Sequence, residues 1–215
     1  MSKLTDNLEQ ISAQIRSDFT SQDYAREKAI PLCREIIRFS SNTIRAIHRQ
    51  QFEEAKRLIE NTRSLIGEVE SHLGSCQDLQ NTHFFWDAQK EYSEANLVLS
   101  LVTGDDIPTP AKLGVDNAAY LNGMGEAANE LRRYILDGLR HDDFSRGEDL
   151  LSAMDDIYNT LVTMDFPDGI TGGLRRTTDI LRSVMEKTRS DITLSMQQKK
   201  LETLLGEFNA KYTNK

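Results

Sequence analysis

Two pairs of glutamates stand at spacings that place both members of each pair on one face of a helix. Glu91 and Glu94 lie three apart in DAQKEYSEA, and Glu126 and Glu130 lie four apart in GEAANEL. Residues three or four apart are neighbours on a helix surface. None of the four is followed four residues on by a lysine or arginine: Ala95 follows Glu91, Val98 follows Glu94, Glu130 follows Glu126 and Tyr134 follows Glu130. A like-charge pair at that spacing costs an isolated helix about 0.2–0.5 kcal/mol. Ala95, Val98, Ala127 and Leu131 make the surroundings of Glu94 and Glu130 apolar. A carboxylate drawn into such surroundings needs a cation or a proton. Four carboxylates converging from two packed helices would form a hard oxygen site suited to Mg²⁺ or Mn²⁺. Ions held there suit phosphodiester hydrolysis by an activated water. Spacing alone is more simply met by solvated glutamates on helix faces, and that account stays open at this point.

Other chemistries have weaker footing. The histidines are His48, His72, His83 and His141, and three residues before them stand Arg45, Val69, Gln80 and Gly138. No Glu-x-x-His exists, which removes a ferritin-like di-iron site. An all-α nucleotide pyrophosphatase pairs Glu-x-x-Glu with Glu-x-x-Asp. Glu91 and Glu94 fit the first half, but the spacing of Glu126 and Glu130 does not fit the second. There is no phosphate-binding loop, nucleophile elbow or dinucleotide fingerprint. Trp86, in THFFWDAQ, could stack on a base, although a packing aromatic is the simpler reading. Cys33 and Cys76 form no Cys-x-x-Cys, so no zinc ribbon or finger is present. They read as free thiols in a reducing compartment.

The carboxylates need helices to carry them, and the apolar periodicity supplies these. The first helical stretch is expected over about Leu4–Arg49, with breaks near Ser17–Gln22 and a kink or restart at Pro31. A second is expected over Gln51–Leu73, ended by Gly74, and a third over Asp78–Val102. TGDDIPTPAKLGVD, residues 103–116, reads as a loop. Asp116 can cap a fourth helix running to about Asp137, and a fifth spans about Asp142–Met164. FPDGITGG, residues 166–173, reads as a break. A sixth helix starts near Gly173 and passes Met196, and the tail from Leu201 is either one more helix or frayed. The expected fold is all-α, a bundle of about six to seven helices in one unit over residues 1–215.

The chain has 215 residues, 28% of them charged, and a net charge of −8. An acidic total argues against nucleic-acid binding unless basic residues are gathered locally. Arg34, Arg38, Arg45, His48 and Arg49 fall within about a third of the circumference of the first helix. Such a stripe can track a phosphate backbone. It can equally be a solvated face, or pair with Glu53 and Glu54 on the next helix. Arg132 and Arg133 sit beside the carboxylates and could bridge RNA phosphates, or pair with Glu130 or Asp137. The opening MSKLTDNLEQ has no apolar targeting core, and no apolar run approaches bilayer length. The expectation is a cytoplasmic protein without membrane contact.

Four segments taken in order resemble the translin family, which includes translin and translin-associated factor X. They are AREKAIPLCREIIRFSSNTIRAIHR at 25–49, DAQKEYSEA at 87–95, AAYLNGMGEAANELRR at 118–133 and LRRTTDILRSVMEKTRSDI at 174–192. The third is the most specific, a Tyr-Leu-x-Gly segment followed by Glu-Leu-x-Arg. The resemblance implies an all-α subunit that assembles into a closed hollow homo-oligomer, commonly an octamer. It also implies binding of single-stranded RNA, and of single-stranded DNA. In factor X-like members four acidic residues bind Mg²⁺ and cut RNA. Matched by motif these are Glu91, Glu94, Glu126 and Glu130, with Glu126 standing where the family normally has Asp. All four positions are acidic here, which places the chain on the catalytic side, as a Mg²⁺- or Mn²⁺-dependent endoribonuclease. Translin itself lacks the complete acidic set, so a non-catalytic single-strand binding shell is the alternative.

Overall fold

The computed structural model describes residues 6–74, 79 and 82–212. Among them are eight helices and no strand: α1 (Leu8–His48), α2 (Phe52–Leu73), α3 (His83–Thr103), α4 (Pro110–Leu113), α5 (Asn117–Leu139), α6 (Gly147–Leu161), α7 (Asp168–Thr171) and α8 (Leu174–Tyr212). No described helix is long and apolar enough to cross a membrane.

α1 runs unbroken through Ser17–Gln22, where breaks were expected. The hydroxyls of Thr20 and Ser21 donate to the carbonyls of Arg16 and Ser17, four residues back. Their hydrogen bonding stays inside the helix instead of competing with it. Pro31 also lies within α1. It removes one donor, but the flanking Ala29, Cys33 and Ile36 are buried and hold both sides on one axis. Buried positions on α1 begin at Ala25 and recur at Ala29, Cys33, Ile36, Ser40, Ile44 and Ile47. This is the three-to-four spacing of an amphipathic helix. The reversal into α2 uses Gln50 at φ 59°, with the Gln51 amide bonded back to the Ala46 carbonyl.

α3 is buried nearly all round, from Phe85 through Tyr92, Glu94 and Leu97 to Val102. It packs on α1, α2, α5 and α6, which makes it the central helix. The expected start of this helix near Asp78 lies outside the described residues, as does Cys76. Cys33 is buried, and burial pushes its thiol up to about 12, so it is an inert core residue.

Two short helices went unforeseen. α4 interrupts the proline-containing loop, with Thr109 accepting from the Lys112 amide and Gly114 at φ 71° closing it. α7 occupies the turn-rich break and ends at Gly172, φ 63°. A Cβ at Gly172 would lie 2.7 Å from Trp86 Cζ2. Trp86 is therefore a packing aromatic against this turn, as the simpler reading had it. The tail from Leu201 continues α8 without a break.

Apolar residues remain exposed at the free ends of the two longest helices. On α1 they are Leu8, Ile11, Ile15 and Phe19, and on α8 they include Leu194, Leu201, Leu205 and Phe208. Nothing on α1 before Ala25 is buried, nor anything on α8 after Ile192.

Candidate metal centre

α5 begins with Asp116, whose carboxylate accepts from the Ala118 and Ala119 amides and caps the helix. The Asp116 amide donates to Gln89 on α3. Asn122 donates to the carbonyl of Thr171 and accepts from Thr177 at 2.8 Å, which ties α5 to both α7 and α8. Arg132 pairs with Asp191 at 2.8 Å and fixes the same two helices further along. With both sides held, the α3–α5 contact closes on Gly123. A Cβ there would stand 2.6 Å from the Lys90 carbonyl oxygen and 3.1 Å from the Glu94 amide nitrogen. Gly123→Ala therefore sets a gain of about 1 kcal/mol in helix propensity against a backbone clash. The clash is expected to win, with a net loss of about 1–3 kcal/mol. Chemical denaturation of wild type and variant would measure it, and an unchanged midpoint would refute the close contact.

This contact carries the glutamates together. One carboxylate oxygen from each of Glu91, Glu94 and Glu126 lies within 4.8 Å of the others. Glu94 is 7% exposed. Burial first, and then the charges of Glu91, Glu126 and Glu130, push its carboxyl up to about 9. Burial also raises Glu91, against the pull of Lys90. A buried acid cluster of this kind calls for a cation.

Glu130 is held apart from that trio. It accepts from His48 Nε2 at 2.7 Å, a bond that brings the end of α1 to α5. That hydrogen bond is the main cause holding the Glu130 carboxyl below the usual range, against burial and with help from the charges of His48 and Arg133. The His48 side chain is 5% exposed, and its Nδ1 is buried without a hydrogen-bond partner. His48, counted with the basic stripe, turns its ring to Glu130. At the edge of that stripe the helix turns the ring inward, and Arg34, Arg38, Arg45 and Arg49 stay exposed without it.

Arg38 pairs with Glu35, and Arg45 donates to Asn42. Pairing of the stripe to α2 is not found, because Glu53 and Glu54 are taken by Lys56 and Arg57 on their own helix. Arg132 is engaged with Asp191 and Thr188, while Arg133 is exposed near Glu130.

The sequence reading missed Lys90. Its Nζ lies 2.8 Å from Glu126 Oε1 and 3.6 Å from Glu91 Oε1. Lys90 directly precedes Glu91, but its shorter contact is to Glu126 on α5, which spacing along one helix does not reveal.

The donor set fits Mg²⁺ or Mn²⁺, since it is all carboxylate oxygen, partly dehydrated and already holding an ammonium. No family model matches the chain. An uncharacterized protein of Methanocaldococcus jannaschii is 28% identical over 186 residues, spanning 84% of this chain and 81% of that one. Among solved structures, AfC3PO in complex with duplex RNA is 30% identical with a TM-score of 0.78, covering 86% of this chain and 96% of its own. AfC3PO alone gives 29% and 0.79, over 86% and 97%. Apo-NeC3PO is 20% identical, a likeness of fold alone, with a TM-score of 0.75 over 91% and 98%. C3PO is the translin-type assembly. With the hallmark segments in order, an all-helical fold and this likeness along most of its length, the chain belongs to the translin family.

Proposed function

We propose that this protein binds RNA and cuts it by metal-dependent hydrolysis. The observation that carries this reading is the meeting of Glu91, Glu94 and Glu126 oxygens within 4.8 Å around a buried Glu94. Mg²⁺ or Mn²⁺ bound there would supply Lewis-acid polarisation of a phosphodiester and a more acidic water. Glu94 anchors the site from the buried central helix. Glu91 and Glu126, more exposed, form its open side. His48 orients Glu130 at the edge of the cluster. The net chemistry is hydrolysis: water adds to phosphorus, the P–O bond to one ribose breaks, and the leaving oxygen takes a proton.

Arg34, Arg38, Arg45, Arg49 and Arg133 are exposed cations suited to phosphate contact. Arg49 borders a cleft of about 420 Å³ shared with His48, Tyr134 and His141. The duplex RNA in the AfC3PO complex supports an RNA ligand for this chain as well. The uncovered apolar stripes on α1 and α8 support a homo-oligomer, with the octamer of the family as its form.

A second reading is favoured by Lys90. An ammonium already among the carboxylates suits a shell that binds single-stranded RNA or DNA without cutting it. The test uses labelled unstructured RNA and labelled duplex RNA, each with Mg²⁺, with Mn²⁺ and with chelator, on wild type and Glu126→Ala. Cleavage that needs the ion and disappears in the variant is expected. Salt-sensitive binding without product would establish the shell instead.

A further inference from the structure

Lys90 sits in the cluster as a structural cation would. Its side chain is 17% exposed, and it shares Glu126 Oε1 and Glu91 Oε1. Its backbone is fixed as well, because the Lys90 carbonyl lies under Gly123 where α3 and α5 touch.

Charge balance follows from these neighbours. Counted at formal charge, as an ion would meet them, the three carboxylates and one ammonium leave two net negative charges. One divalent ion neutralises that. A second would leave a surplus of positive charge in a part-buried pocket, and its nearest oxygens would be those Lys90 already uses. Glu130, the remaining acid, is engaged by His48.

We propose that Lys90 stands in place of a second metal ion. The site takes one divalent cation between Glu91, Glu94 and Glu126, and the Lys90 ammonium is the second positive charge presented to the phosphodiester. This rests on the reading of the cluster as a metal site. Lys90 is a compact point charge with three donors, so it can hold two carboxylates and still meet a phosphate oxygen.

The test is a calorimetric titration of Mn²⁺ into the full-length protein, with electron paramagnetic resonance to detect coupled ion pairs. Wild type is expected to take one Mn²⁺ per chain with no spin coupling. Lys90→Met keeps the apolar stem and removes the charge. It is expected to bind the first ion at least about tenfold more tightly, because a competing cation at the ion's ligands is gone, and to admit a second, coupled ion. Lys90→Arg keeps the charge and is expected to stay at one.

Two coupled ions on wild type would overturn the proposal, as would a single ion of unchanged affinity on Lys90→Met. If Lys90→Met fails to fold, the wild-type count and Lys90→Arg still decide. No Mn²⁺ binding to wild type at all would overturn the metal reading itself, a different failure from the count of two.

Discussion

Glu94→Gln is expected to lower metal-dependent RNA cleavage by more than about 100-fold while leaving the apo protein more stable than wild type near pH 7. Loss of a group that merely orients a metal ligand costs about 10–100-fold, and Glu94 is the most buried of the acids that would touch the ion. The amide is isosteric with the carboxyl. Because burial and the neighbouring carboxylates push Glu94 up to about 9, the apo protein near neutrality already holds it protonated, and the substitution replaces one neutral group by another. The folded states therefore match, but the unfolded wild-type chain gains an ionised carboxylate that the variant lacks, so the apo variant should melt above wild type, while the stabilisation that Mn²⁺ confers on wild type should largely vanish. Cleavage at the wild-type rate with metal present would remove Glu94 from the chemistry. A fallen apo midpoint would mean that the carboxylate is ionised and paired.

The second large effect is on pH. Glu94 is raised in the folded state above its unfolded value. Its contribution to stability is then full below the unfolded pKa and is lost as pH rises through about 9. Glu130 runs the other way. Its lowered carboxyl contributes above the unfolded pKa and loses that contribution as pH falls through the folded one. The metal-free protein is thus expected to weaken from about pH 4.5 to about pH 9 relative to Glu94→Gln. With Mn²⁺ bound the difference should reverse, since the ion takes the place of the proton. Ion affinity should climb over the same range, with a proton released on binding. Thermal melts of both proteins across that range, with and without Mn²⁺, read the stability. Calorimetry in two buffers of different ionisation enthalpy reads the proton. A wild-type curve parallel to that of Glu94→Gln in metal-free buffer would contradict the assignment.

The helices were legible because their apolar residues recur at three and four, as at Ala25, Ala29, Cys33 and Ile36. The short helices α4 and α7 were not. Each has four residues, too few for periodicity to register; α4 is set by the Thr109 cap and left-handed Gly114, and α7 ends on left-handed Gly172. The breaks expected at Ser17–Gln22 rested on the intrinsic preference of Ser and Thr. Hydroxyls bonded to carbonyls four residues back override that preference. Spacing put Glu91 with Glu94 and Glu126 with Glu130 on shared faces and left a solvated face open as the simpler account; that Glu126 meets the first pair comes from the packing of α3 on α5. The split of Glu130 from that group could not be read from spacing either. It depends on His48, from a helix far earlier in the chain, and helical angles alone put His48 beside the arginines. Lys90 was hidden for a related reason: helix spacing tells which residues share a face, but not which cation will cross the gap to a neighbouring helix.

The bond between His48 and Glu130 joins residues 82 positions apart. α1 and α2, by contrast, are joined by a turn of residues 49–51 and pack on each other, so that hairpin can form while the rest of the chain is still unmade. The carboxylate cluster has no such early start. Glu91 and Glu94 wait on α3, Glu126 and Glu130 wait on α5, and His48 waits on both. The trio thus needs α3 packed on α5, and the His48–Glu130 bond needs α1 as well. A nascent or half-folded chain offers scattered carboxylates, each solvated and each with an ordinary affinity for cations, and only the finished packing gathers them. On the proposed reading, competence to hold an ion would come only with that packing.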